Sequence, residues 1–306
     1  MRVLLLVPMK DGQTGPAIKY GFEQLGHIVT AVDVKEHLGA SFKVACDFKP
    51  DLILCSRTSG LAKQIVQIKK ELKNVVACTW NVDTRSNINH WKHLFPLIQA
   101  CDYYFVVASK LIPEWKKLNL NTFWLPQGLQ NEVYRKPMEI TDEDREKYAC
   151  DVCWAGGGGG GGHGFRRAYL DVVSAMGINF KRWGTGGNPP IYNEEHNKMV
   201  ALSKINLALS GWSGNEKYTS VRNYKILGAG GFCLELHRKG IYEIFPHGMI
   251  KCFTNPSELK NRIAYWLGKE QEQKRLQIAD AGYRWVHANA TYTHRMKMAL
   301  EYMGMR

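Results

Sequence analysis

The sequence predicts an α/β protein made of two doubly wound, Rossmann-like domains facing a cleft, and three observations predict it. Short apolar runs alternate with amphipathic ones along the first half. The same alternation restarts after a charged interruption near residue 139. The stretch 220–236 then compresses a polar helix start, an amphipathic turn, a glycine stop and a short strand into half of an α/β unit, with its phosphate-binding end exposed.

The elements follow in order. Residues 3–7 are continuously apolar and read as a first buried strand; as a leader peptide the run is too short, and Pro8, Lys10 and Asp11 interrupt it. Amphipathic or apolar runs at 17–25, 28–32, 51–55, 61–72, 75–80, 103–108 and 111–118, with a last short strand at 122–125, repeat the strand and helix alternation of a parallel sheet covered on both faces. The first domain is therefore expected over 1–138 and a linker over 139–149, where the chain is charged and poor in apolar residues. A second domain over 150–290 carries strands at 151–155, 179–183, 205–210 and 232–236, with helices at 165–176 and 193–203 and another starting at Ser220. From Pro256 onward the pattern is helical, and the terminal segment 291–306 is expected to pack back on the first domain.

At 306 residues the chain has room for two cores, and no apolar run reaches the roughly 20 residues of a membrane span. Its eight cysteines are scattered through apolar runs, as free thiols of a cytoplasmic protein would be. Cys150 and Cys153 have CxxC spacing, yet no second pair accompanies them, so they are expected to be ordinary strand cysteines. The net charge of +13 is uneven: residues 1–150 carry 20 basic against 16 acidic side chains, and residues 151–306 carry 21 against 12. Such an excess favours an anionic ligand or partner; a solubilising basic surface is the alternative.

Within 220–236, Ser220 is an N-cap residue type, and the glycines at 228, 230 and 231 end the helix. Arg222 then falls in the first turn, where a cation opposes the helix dipole and a bound anion would resolve the conflict. Seven consecutive glycines at 156–162 follow a strand and precede His163, Arg166 and Arg167. Such a loop can approach a diphosphate closely; the alternative is a flexible replacement, native or artificial, of an ordinary loop.

Read together, these segments resemble the spore-maturation CgeB-like branch of the GT-B glycosyltransferases, which transfer a sugar from a nucleotide-sugar donor. The motifs that carry the resemblance are Pro190-Ile-Tyr192, Glu194-Glu195, Leu202-Ser-Lys204, Ile205-Asn-Leu207, Arg222-Asn-Tyr224, Gly228-Ala-Gly-Gly-Phe232, Asn255-Pro-Ser-Glu-Leu259 and Tyr292-Thr-His-Arg295. The first half is similar more loosely, through Gly26-His-Ile-Val29, Leu125-Pro-Gln-Gly128 and Val133-Tyr-Arg135. The resemblance implies a hexosyl- or pentosyltransferase that binds its donor, UDP-sugar by preference, on the second domain. Ser220, Val221 and Arg222 would then neutralise the leaving diphosphate. With no Asp-x-Asp pair in evidence, a metal-independent reaction without a cofactor is expected.

One residue departs from the family. Where relatives carry a glutamate for the donor ribose, this chain has Lys225, whose ammonium has donors only. Either Glu216 or Glu235 takes over, or Lys225 meets a phosphate, or the chain is an inactive nucleotide-binding or scaffold protein. Gly184, opening Gly184-Thr-Gly-Gly-Asn188, is expected to wall the nucleobase unless it marks a surface turn, with Tyr192 or Trp212 to stack on the base. Asp83 is the expected base for the acceptor hydroxyl and Asp11 the runner-up, with helix N-capping as the alternative for both. His90 and His93 read as surface or packing residues. The lysines of 63–73 and the interleaved His90-Trp-Lys-His93 would suit a DNA acceptor such as a hydroxymethylated base; a cell-surface glycan, a protein or a small metabolite are the other acceptors.

Overall fold

The computed structural model describes residues 1–10, 12–157, 164–211 and 214–305. They form two compact units, each around its own parallel sheet.

The first unit is Met1–Gln127 together with Tyr292–Arg306. Its strands are β1 (Arg2–Val7), β2 (Ile28–Asp33), β3 (Leu52–Cys55), β4 (Val76–Asn81), β5 (Tyr103–Val106) and β6 (Thr122–Trp124), in the order β2-β1-β3-β4-β5-β6. Helices α1 (Thr14–Gln24), α2 (Ser41–Phe48), α3 (Leu61–Glu71), α4 (Phe95–Ala100) and the single turn α5 (Ile112–Trp115) connect them. Every residue of β1 after Arg2 is buried, as expected of a strand covered on both faces. The strand order reverses between β1 and β3. The loops leaving those two strands therefore diverge and open a crevice at the carboxyl edge of the sheet.

The second unit is Gly128–Thr291. It begins with α6 (Asp142–Tyr148) and continues through β7 (Cys150–Gly156), α7 (Arg166–Ser174), β8 (Phe180–Gly184), α8 (Asn193–Leu202), β9 (Ser203–Ala208) and α9 (Val221–Gly228). After these come β10 (Cys233–Leu236), α10 (Ile241–Ile244), β11 (Lys251–Phe253), α11 (Pro256–Leu267) and α12 (Glu272–Asn289). The sheet order is β11-β10-β9-β7-β8, so the reversal lies between β7 and β9. Its core includes Val152, Trp154, Ile205, Leu207 and Leu234 from the strands and Phe232 just before β10, met by Leu259, Ile263 and Trp266 of α11. The last helix, α13 (Tyr292–Tyr302), lies in the first unit against α1. Gly21 of α1 makes that approach possible, since a Cβ there would stand 2.9 Å from the Tyr292 carbonyl oxygen.

The units divide at Gln127, eleven residues before the boundary the sequence pattern marks at 138. The 139–149 segment, expected as linker, is a docked helix instead. Thr141 and Asp144 close a capping box at its start, and Lys198 of α8 grips Asp144 at 2.7 Å. Charge and low apolar content mark a surface helix here just as well as a tether. All eight cysteines are free, and Cys150 and Cys153 are buried on β7 beside Ser203 and Asn206. Among the described residues no helix is long and apolar enough to cross a membrane.

Candidate active site

In the second unit the ends of β7 and β8, the loops that leave them and the start of α9 enclose a pocket of about 370 Å³. Six of the sequence-predicted donor residues line it: Gly184, Tyr192, Ser220, Val221, Arg222 and Lys225. The seventh, Arg166, stands behind the rim. Its guanidinium donates to Leu209 O at 2.8 Å and to Gly157 O at 2.6 Å, and so ties the loop after β7 to the end of β9. Burial is the main reason its pKa falls to about 10.

The start of α9 is built to leave donors open. Ser220 occupies the N-cap position with extended backbone, as its residue type predicts, yet its hydroxyl makes no cap hydrogen bond. That oxygen instead lies 3.1 Å from Ser210 Oγ and accepts from the Arg222 guanidinium at 3.3 Å. The N–H groups of Val221 and Arg222 point out of the first turn with no acceptor among the described residues, where the helix dipole favours an anion. Beneath the turn lies a buried network. The Glu235 carboxylate, with 0% exposure, accepts from Asn223 Nδ2 at 2.6 Å, Ser210 Oγ at 3.1 Å and Arg238 at 3.2 Å. Glu235 is thereby consumed in holding α9 and is no ribose ligand. Glu216 is also engaged, by Lys239 at 2.9 Å.

Arg222 crosses the carboxyl end of β7. Its Nε donates to Ala155 O at 2.8 Å, and its guanidinium lies 5.8 Å from the Trp154 ring centre. Burial lowers its pKa from the usual arginine value. Gly156 exists for this crossing, because a Cβ there would meet the Arg222 guanidinium at 2.3 Å. Gly184 is equally constrained: it sits at φ +103, and a Cβ would come within 2.3 Å of Gly156 O. Gly156 and Gly184 are register partners at the ends of β7 and β8, so two glycines keep the pocket floor low. Gly158–Gly162, His163 and Trp212 lie outside the described residues, as does Asp11.

Lys225 stands one turn along α9 and donates to Tyr134 Oη at 2.6 Å. Among the described residues no carboxylate lines this pocket. Burial first, and the Arg222 charge second, bring the Lys225 pKa down to about 8. His196, on α8, completes this side of the wall.

Three comparisons bear on what such a chain is. Residues 166–301 match a family model described as glycosyl transferase-like, and that span includes every donor-side residue above except Tyr134 and those of β7 and its loop, Trp154 to Gly157. A curated 2-succinyl-5-enolpyruvyl-6-hydroxy-3-cyclohexene-1-carboxylate synthase from Leuconostoc mesenteroides is 26% identical over 110 residues, which are 36% of this chain and only 20% of that protein. Among solved structures, Anabaena HepE in complex with UDP-glucose superposes with a TM-score of 0.68 at 11% identity, covering 99% of both chains. Sucrose-phosphate synthase from Thermosynechococcus elongatus gives 0.68 at 10% identity, again over 99% of both chains. A glycosyltransferase from Rickettsia africae gives 0.67 at 11%, over 99% of this chain and 98% of that one.

The chain has the GT-B fold.

In this GT-B chain the first unit carries a second pocket, of about 400 Å³, at its own switch point between β1 and β3. Arg57, Trp80, Val82 and Trp91 are among its lining residues. Asp83 follows β4 beside them and is not a helix cap: its carboxylate pairs with Arg57, and its N–H donates to Asn81 Oδ1 at 3.2 Å. Asn87 caps the next helical turn instead. Trp91, expected to be interleaved with basic residues on a surface, is 6% exposed and belongs to the core with Leu94, Ile98 and Tyr104. His93 reaches the pocket rim, and His90 is exposed. Sequence reading missed His196 and Tyr134 as site residues: His196 sits inside a helix with no motif of its own, and Val133-Tyr-Arg135 carries no sign that Tyr134 meets Lys225; only Tyr192, four residues before His196, signals that this helix start faces the site.

Proposed function

We propose that the chain is a glycosyltransferase that moves a sugar from a nucleotide-sugar, most simply a UDP-sugar, to an acceptor hydroxyl. The observation that carries this reading is the pocket at the β7/β9 switch point. There the unsatisfied N–H groups of Val221 and Arg222, the dipole of α9 and the cations Arg222 and Lys225 converge, with no carboxylate among the described lining residues. A diphosphate suits that arrangement and a neutral ligand does not. The family-model match over 166–301 and the fold support it.

In the proposed reaction the acceptor oxygen bonds to the anomeric carbon while the bond from that carbon to the diphosphate oxygen breaks. The nucleoside diphosphate departs with the bonding pair, and the acceptor proton passes to the Asp83 carboxylate. Preorganised donors at α9 stabilise the charge that grows on the leaving group. Tyr192, 58% exposed at the pocket edge, is the surface on which the base stacks. Incubation with a panel of UDP-, GDP- and ADP-sugars is expected to release the corresponding diphosphate from at least one donor. Retained nucleotide binding with no release from any of them would instead identify a binding protein on this fold.

The donor side predicts a pH dependence. Bound diphosphate favours the protonated amine of Lys225 and so raises its pKa from about 8. Below pH 8 the ammonium is already present and affinity is full. Above it, binding must take up a proton, and affinity falls by up to about tenfold per pH unit. Calorimetric titration with UDP at pH 7 and pH 9.5 is expected to show the loss, and Lys225→Met to remove it.

The finer form of the proposal concerns the acceptor, for which the charge excess keeps duplex DNA in view. Lys63, Lys70 and Lys73 are exposed on or just beyond α3, while Lys69 is committed to Asp102 at 2.5 Å. A DNA acceptor predicts a gel shift at low salt that weakens steeply as salt is raised. No shift at low salt turns the acceptor toward a glycan, protein or small metabolite.

A further inference from the structure

The first unit's pocket carries a charge pattern of its own. Among its described lining residues Lys35 and Arg57 are cations, His93 adds an imidazole, and no carboxylate is present. Lys35 and His93 are exposed, and the Arg57 side chain keeps 36% of its surface open, so a ligand in the pocket can meet each of them directly.

Only part of Arg57 is spent. Its Nη2 pairs with Asp83 Oδ2, and no other hydrogen bond to this side chain occurs among the described residues. The two hydrogens of Nη2 lie on different edges of the planar guanidinium, so one contact there leaves a complete two-donor edge free. The group lies 5.4 Å from the ring centre of buried Trp91, which steadies it. Such an edge donates two parallel hydrogen bonds to a phosphate or a carboxylate.

Lys35 is unspent too. Its backbone N–H donates to Asp33 Oδ1 at 3.0 Å, but its ammonium has no ion pair among the described residues; it is Lys10 that pairs, with Glu36 at 2.7 Å. The strand order β2-β1-β3 places Lys35 after β2 and Arg57 after β3, two strand spacings or about 10 Å apart, with the end of β1 between them. Both side chains line one pocket and so close on a ligand from either side.

Charge and size narrow that ligand. A phosphate monoester carries close to two negative charges at neutral pH and matches two cations, where a carboxylate matches one. A volume of about 400 Å³ is that of a small-molecule site and admits no duplex. The guanidinium that would hold the phosphate also holds Asp83, so the hydroxyl that loses its proton belongs to the same small molecule.

We propose that the first unit's pocket takes the acceptor by a phosphate group held by Arg57 and Lys35, with its hydroxyl at Asp83, so that the acceptor is a small phosphorylated alcohol of the sugar-phosphate kind. The proposal rests on the glycosyltransferase reading and names the class of its acceptor.

The test is calorimetric titration of the full chain with glucose 6-phosphate, glucose 1-phosphate and glycerol 3-phosphate, each against its unphosphorylated parent, and with glucuronate as the carboxylate. At least one phosphate compound is expected to bind about tenfold or more tightly than its parent and than glucuronate, the effect of a hydrogen bond to a charged group. That preference should shrink to about threefold or less in Arg57→Gln, weaken in Lys35→Gln and stay within about twofold of wild type in Arg222→Ala, which alters the second unit only. With a donor that releases its diphosphate, the same compound should receive the sugar. Equal affinity for phosphates and parents, tighter binding of glucuronate, or a preference lost in Arg222→Ala and kept in Arg57→Gln each overturns the phosphate site, and donor turnover that persists leaves the glycosyltransferase reading standing. Phosphate binding without transfer from a releasing donor overturns the acceptor assignment. No release from any donor overturns the glycosyltransferase reading, and the acceptor assignment with it.

Discussion

Arg222→Ala is expected to weaken UDP binding by about 10- to 150-fold, the equivalent of the ~1.5–3 kcal/mol that a hydrogen bond to a charged group contributes. Binding is not expected to vanish, because the N–H groups of Val221 and residue 222 belong to the backbone and remain aimed at the anion. Arg222 has a second task, however. It ties Ala155 O, at the end of β7, to α9, and its loss releases that tie. Arg222→Lys separates the two roles, since lysine keeps a charge near the site but cannot reproduce the planar fork that spans Ala155 O and Ser220 Oγ. If the diphosphate reads charge alone, Arg222→Lys recovers most of the affinity; if it reads a preorganised fork, Arg222→Lys stays close to Arg222→Ala. Thermal unfolding of each variant without ligand reports the structural part. Wild-type UDP affinity in Arg222→Ala would move the diphosphate away from α9.

The strongest local signals in the sequence were those in which one residue type has one physical use. Alternating apolar runs gave the parallel sheets because buried strands have few other compositions, and the 220–236 stretch gave α9 and β10 because glycine, serine and β-forming residues punctuate it. Strand order was not legible, and with it the two switch points that place the pockets, since pairing is decided by crossovers that leave no periodic trace. The 139–149 segment misled because a solvated helix and a tether share a composition; only the Thr141 and Asp144 pairing, three residues apart, marks the helix. Glu235 illustrates the opposite failure. A carboxylate in an apolar strand invites a functional reading, but Asn223, Ser210 and Arg238 reach it from three separate places in the chain, and such convergence exists only in three dimensions. His196 was hidden for the same reason, its place in the pocket wall being a property of the fold rather than of its neighbours in sequence.

Asp83→Asn tests the acceptor side and carries the largest expected effect on turnover. General-base assistance contributes about 10²–10⁴ in rate, so kcat should fall by that factor once a donor and acceptor pair is in hand. Nucleotide affinity should be unchanged, because Asp83 belongs to the first unit and the nucleotide site is built wholly from residues of the second. The substitution preserves shape while removing the charge that Arg57 pairs with, which raises a competing account in which Asp83 only anchors Arg57 at the rim of the first unit's pocket. The two accounts part on the kinetic constants. A base acts in the transition state, so Asp83→Asn should lower kcat with the acceptor KM largely kept. A mere anchor predicts that Arg57→Ala and Asp83→Asn lose activity alike, each through a raised acceptor KM with kcat largely kept. Full activity of Asp83→Asn at neutral pH would remove Asp83 from the chemistry altogether and send the search for the base to another group of the first unit.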